Sequence, residues 1–253
     1  MAQPAQDRQE LVAIVDPYTS GRFLVDELCQ RGWSLVAVRS SLTLSGELIS
    51  TWNPAPFEHV VVHHGDLADT AARLRSLDRK VRAVVAGCEP GVWLTDALAK
   101  ELDLRGNDSS EVDPSCRWDK MVMHRRLKEC GLQHARSGLV RSVEEALAFA
   151  RQYEAEGRTW PLICKPCASY GSSNVFNCKD VHALAEAVVK VMGATDGMGR
   201  KVEAALVQEF LHGTEYVVDC VSIDGQHFVC ATWAYTRVAA VPPARPEATP
   251  KAS

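Results

Sequence analysis

Short apolar runs alternate with amphipathic segments over about residues 8–105, and few folds admit that alternation. Residues 11–15 form an apolar run closed by Asp16 and Pro17, the form of a buried strand. Ser20 stands where it can cap a helix reaching about Arg31, with Phe23, Leu24 and Leu28 on one face and Gly32 as the stop. Residues 33–38, 60–62 and 81–86 read as three further strands, and 67–77 and 91–102 as helices. Strands joined through helices run parallel, because the chain needs a crossover to return. The segment therefore predicts an open, Rossmann-like parallel α/β sheet with helices on both faces.

After a polar connector at 107–115 the pattern changes. Helices are expected at about 117–130, from the capping-box-like Ser142 to Glu156, and at 179–192; 193–199 reads as a loop. Strands are expected at 162–164, 205–210, 216–222 and 228–235, the last two joined by a tight Asp224-Gly225 turn. Neighbouring strands here are antiparallel, so an α+β unit follows the α/β one. The expected division is 8–105, 106–236 and a Pro/Ala-rich tail over 237–253 that reads as disordered.

Composition narrows the function classes. With 46% hydrophobic and 24% charged residues, this is a globular chain. A formal net charge of −4 and no basic block argue against nucleic acid or an anionic membrane as the main partner. No run approaches the ~20 apolar residues of a membrane helix, and the first ten residues lack the apolar centre of a secretory signal. A cytoplasmic protein is expected. The nine cysteines, most of them within apolar runs, fit a reducing compartment.

Several motifs carry two readings. The turn after the first strand, 16–21, has one glycine where a dinucleotide fingerprint needs three, which disfavours a nicotinamide oxidoreductase. Cys164 and Cys167 make a C-x-x-C, but no second pair and no following helix support zinc or redox chemistry, so neither is expected. His63-His64-Gly65-Asp66 reads as a loop with Asp66 capping a helix rather than as a metal site. Lys165 follows the 162–164 strand and precedes the small-residue loop 168–173, whose amides could cradle phosphate oxygens; a hairpin turn with a surface lysine is the plain alternative. In 207–216 a strand ends, the chain turns at Gly213 and Glu215 follows, an arrangement that suits an adenine edge and ribose hydroxyls or a simple strand connection.

In order along 11–236, these pieces resemble the ATP-grasp superfamily, in its carboxylate–amine ligase branch that includes L-amino-acid ligases. The residues that carry the resemblance are Trp118-Asp119-Lys120-Met121, Lys165-Pro166 with Gly171-Ser172-Ser173, and the segment Gln208 to Tyr216. The stretch before them, with Leu104-Arg105-Gly106-Asn107, is similar to the α/β domain that precedes the grasp in this family. The resemblance implies ATP as cofactor, with Lys120 and Lys165 on its phosphates and Gly171, Ser172 and Ser173 as a lid over them. It implies Gln208 on the adenine amino group, Glu209 and Leu211 offering a backbone carbonyl and amide, and Glu215 on the ribose. The implied chemistry is an acylphosphate intermediate captured by an amine, with Mg²⁺ on the phosphates.

The chain departs from the family pattern in three places. Asn174 stands where relatives commonly have glycine, although asparagine tolerates positive φ. Tyr170 is bulkier than usual there. The family's metal-binding acids, its asparagine and an acylphosphate-binding arginine would lie after Tyr235, where this sequence turns Pro/Ala-rich. The expectation is an ATP-grasp chain that stops in mid-domain, is inactive or incomplete alone, and has a completing chain as possible partner beside ATP and a small carboxylate or amino acid. No catalytic residue and no metal ligand is assigned. The rival reading is a non-catalytic nucleotide-binding or regulatory module.

Overall fold

The computed structural model describes residues 10–41, 46–107, 112–169, 173–195 and 201–236. The expected 237–253 tail, Gly171 and Ser172 lie outside them. The chain divides into two compact units, one up to Phe210 and one from Leu211 on.

The first unit opens with the expected parallel sheet. Strands β1 (Glu10–Val15), β2 (Ser34–Arg39), β3 (His59–Val62) and β4 (Lys80–Ala86) lie in the order β3-β2-β1-β4, all parallel. Helix α1 (Gly21–Gln30) follows β1, and the one-turn α2 (Gly46–Ile49), which the sequence pattern does not reveal, follows β2. α3 (Leu67–Arg75) and α4 (Val92–Glu101) come after β3 and β4. Alternate β1 residues serve two cores. Leu11, Ala13 and Val15 pack with Ala71, Leu74, Leu94 and Leu98 of α3 and α4, whereas Val12 and Ile14 pack with Val25 of α1. Helices thus cover both faces.

Asp66 caps α3 as expected, accepting from the Asp69 amide at 3.1 Å, and the buried His63 bonds Thr70 at 2.8 Å. Ser20 precedes α1 but makes no side-chain cap bond, because its backbone is already helical (φ −67°, ψ −23°). The lone glycine of the first turn has a packing role. A Cβ on Gly21 would lie 2.5 Å from the Gly87 carbonyl oxygen, and one on Gly87 2.6 Å from that of Asp16. Both obstacles are backbone and cannot move aside. Gly87→Ala is expected to cost about 3 kcal/mol by overpacking, read as a lower urea midpoint at unchanged slope.

A second sheet follows within the same unit, in the order β5-β8-β6-β7 and antiparallel throughout. Its strands are β5 (Ser137–Val140), β6 (Leu162–Pro166), β7 (Phe176–Cys178) and β8 (Ala205–Glu209). Its helices are α5 (Lys120–Glu129), α6 (Val143–Ala155) and α7 (Val181–Met192). α6 and α7 bury one sheet face through Ala146, Ala150, Leu184, Val188 and Val191 against Leu162, Cys164, Ala205 and Val207. The helix expected from 117 begins at Lys120 instead: Pro114–Arg117 is a tighter 3₁₀ turn, and Asp119 accepts from the Met121 and Val122 amides as the true cap.

The second unit contains the hairpin β9 (Glu215–Ile223) and β10 (Gln226–Tyr235). Asp224 and Gly225, at φ +51° and +74°, form its two-residue turn as the sequence predicts. Mixed α/β architecture, with one parallel and one antiparallel four-stranded sheet, matches the fold class expected from the sequence.

Candidate nucleotide site

Strand parity selects the residues on the face of the second sheet turned away from α6 and α7. Ala205 and Val207 face α6 and α7, so Leu206 and Gln208 face the other way. Across the register, Lys165 pairs with Leu206 and Ile163 with Gln208, placing Lys165 on the same face. Lys165 lies inside β6, which runs through Pro166, rather than just beyond the strand as the apolar run alone suggests.

Helix α5 presents Lys120 and His124 one turn apart, hence on one side of the helix. The Lys120 amide donates to the Cys167 carbonyl at 3.0 Å and its Nζ to the Ser169 carbonyl at 2.6 Å, fixing the start of α5 beside the loop after β6. The His124 Nε2 lies 3.3 Å from the Gln208 Nε2. Burial, and then the Lys120 ammonium, pull the Lys165 pKa below the usual lysine value. Burial, with Lys165 and His134 adding to it, lowers that of His124. Two ammonium groups thus share a half-buried place, a setting in which a bound polyanion relieves both repulsion and desolvation.

The remaining site residues of the sequence reading are distributed differently. Glu209 carries its carboxylate away on structural duty, accepting from the Arg136 amide at 2.7 Å and pairing with Arg158. Only its backbone is left for a ligand. Ser173 is exposed in a turn beside Asn174, whose φ of +55° is the left-handed geometry anticipated for it. Leu211, 66% exposed, and Glu215, at the start of β9, belong to the second unit. His124 was not singled out from the sequence, although its four-residue spacing from Lys120 was a usable signal.

The C-x-x-C thiols are buried enough for their pKa values to be pushed up to about 12, desolvation leading in both cases. Neutral thiols are poor nucleophiles and metal ligands. Cys164 and Cys167 are therefore expected to react with iodoacetamide at pH 8 more than tenfold slower than an ordinary exposed cysteine of pKa ~8.5, measured by mass spectrometry of the folded protein. Among the described residues no group of three or more His, Cys, Asp or Glu side chains could hold a metal ion, so no residue is assigned to magnesium.

The fold has counterparts in solved structures. N5-carboxyaminoimidazole synthetase from Staphylococcus aureus, solved with ADP, superposes with a TM-score of 0.66 at 12% identity, over 90% of this chain and 55% of that one. D-alanyl-alanine synthetase A from Vibrio cholerae gives a TM-score of 0.59 at 10% identity, over 90% and 67%. The chain has the ATP-grasp fold. In sequence, dapdiamide A synthase from Enterobacter agglomerans is 26% identical over 230 residues. That match takes in 90% of this chain and 52% of the relative, so the chain spans about half the length of the curated ATP-grasp protein it matches. No protein-family model matches the sequence.

Proposed function

We propose that this chain provides the nucleotide-binding part of an ATP-dependent carboxylate–amine ligase. The observation that carries the reading is the meeting of Lys120 of α5 with Lys165, on the sheet face that also carries Gln208. The ATP-grasp fold and the likeness to an amide-forming synthase support it. Lys120 and Lys165 hold the phosphates, Gly171, Ser172 and Ser173 close over them, and the Gln208 side chain meets the adenine amino group. The Glu209 carbonyl lines the base edge; the family resemblance gives Leu211 a base-edge amide and Glu215 the ribose. In the reaction a substrate carboxylate oxygen attacks the γ-phosphorus and ADP leaves; the amine then attacks the acyl carbon and phosphate leaves. The protein's part is to place the phosphates and offset their charge.

In the same proposal, 8–105 is the preceding α/β domain and 106–236 the nucleotide-binding portion, and the ligase works in the cytoplasm. Among the described residues no helix is long and apolar enough to cross a membrane. The rest of the ligase, on this polypeptide or on a partner, carries the magnesium and the acid and amine substrates.

Calorimetric titration with ATP, followed by an ADP-release assay with magnesium and a panel of amino acids, tests the reading. ATP binding without ADP release is the result expected of this part of the ligase on its own, and amino-acid-dependent release by this chain alone would overturn the placement of the substrates on the rest of the ligase. No ATP binding removes both the ligase reading and the non-catalytic nucleotide-binding module.

A further inference from the structure

Among the described residues, two buried polar atoms where α5 meets the second sheet have no hydrogen-bond partner: Nδ1 of His124 and Oε1 of Gln208. Both residues are more than nine-tenths buried, at 8% and 7% exposure. Buried polar atoms are ordinarily satisfied, so two orphans on side chains that touch through their other nitrogens ask for a cause. The contact itself supplies one. A glutamine amide nitrogen only donates, so the His124 Nε2 facing it at 3.3 Å must accept. Imidazole that accepts at Nε2 is neutral and carries its proton on Nδ1. With the NH₂ group turned to His124, the Gln208 carbonyl oxygen is left as a fixed acceptor.

We propose that His124 is a positioning residue that sets the orientation of the Gln208 amide and thereby makes the site select adenine over guanine. This rests on the nucleotide reading above and deepens it. Adenine presents an amino donor at its six-position, which the unpartnered Oε1 accepts. Guanine presents a carbonyl there, and two acceptors face each other without a proton between them. A Gln208 amide turned the other way would donate to guanine, but it would then set its oxygen against Nε2, which requires the opposite histidine tautomer. The tautomer of His124 thus fixes which purine the glutamine can serve.

The test has two arms. ATP and GTP affinities are measured by calorimetry for the full chain and for His124→Leu, which fills the volume and removes the acceptor. Loss of one oriented hydrogen bond is expected to lower ATP affinity about tenfold, with GTP affinity not falling alongside it. Equal losses for both nucleotides, or an unchanged ratio, overturn the proposal, since a merely structural histidine would weaken both alike. The second arm needs neither ligand nor variant: ¹⁵N shifts of His124 in the unliganded protein are expected to report Nδ1–H, and an Nε2–H tautomer overturns the proposal even if His124→Leu does not fold. Failure of the wild-type chain to bind either nucleotide overturns the nucleotide reading, and the selectivity with it. Nucleotide binding with selectivity indifferent to His124 overturns this inference alone.

Discussion

Lys165→Glu is expected to remove ATP binding, lowering affinity by roughly a thousandfold or more. The native ammonium is half-buried, disfavoured by desolvation and by Lys120, so its charge is held where only a counter-anion stabilises it. Charge reversal replaces an attraction to the phosphates by a repulsion. A pair of charges 4 Å apart at an effective dielectric of 20 interacts with about 4 kcal/mol, near a thousandfold in affinity. The variant keeps its fold, because a carboxylate at this position gains Lys120 as a partner. Lys165→Met separates charge from shape: it too loses ATP, yet the unliganded variant should be more stable than the wild type at pH 7. Because folding lowers the Lys165 pKa, the folded state sheds this proton before the unfolded one does. Wild-type stability therefore rises relative to Lys165→Met once pH passes the lowered value, until the unfolded lysine titrates near ~10.4. Urea midpoints at pH 7 and pH 10 check the sign, and calorimetry checks the affinity. Unchanged ATP affinity in Lys165→Glu would remove this lysine from the phosphate site.

The sequence showed some of this plainly and hid the rest for physical reasons. The parallel sheet was legible because β1, β2 and β4 are apolar runs set between helices, a pattern written in neighbouring residues. Lys120, Lys165 and Gln208 were legible one by one through their order along the chain. That Lys165 and Gln208 share a sheet face was not, since it depends on the pairing of Ile163 with Gln208 across 45 residues, which no local pattern encodes. His124 escaped notice for the same reason: its meaning lies in a contact with a residue on another element. β7, three residues long after a turn, gives too little periodicity to detect. Gly87 carries no signal either, because the crowding that demands a glycine comes from Asp16 and Pro17 on a distant part of the chain. Glu209, expected to offer a ligand only its backbone carbonyl, has a carboxylate that braces Arg136 and Arg158, a role set by residues far away in the chain and so without a local signal.

Amides of the β9–β10 hairpin are expected to exchange with deuterium at least a thousandfold faster than those of β1 and β8. The strands are fully paired from Glu215 opposite Tyr235 to Ile223 opposite Gln226, with one bulge near Cys230, so hydrogen bonds are present. Buried apolar surface is not. Tyr216, Val218, Val221, Phe228, Val229, Trp233 and Tyr235 are exposed by 49–65%, and because Tyr216 and Val218 alternate with Val217 and Val221, both faces of the ribbon are open. Local contacts that hold it include the Trp233 indole donating to Asp219 at 2.7 Å, Ser222 against His227 at 2.8 Å, and cross-strand pairs worth about 0.2–1 kcal/mol each. A two-stranded ribbon is by itself marginal in water. β1 and β8, by contrast, are buried along almost their whole length and open only with the fold around them. A few kcal/mol between those two opening energies is the thousandfold in exchange. Exchange mass spectrometry at low micromolar protein measures it. Protection of the hairpin equal to that of β8 would mean that its apolar faces are covered in solution, and a rise in protection with protein concentration would identify the cover as a second copy of the chain, because only an intermolecular layer depends on concentration.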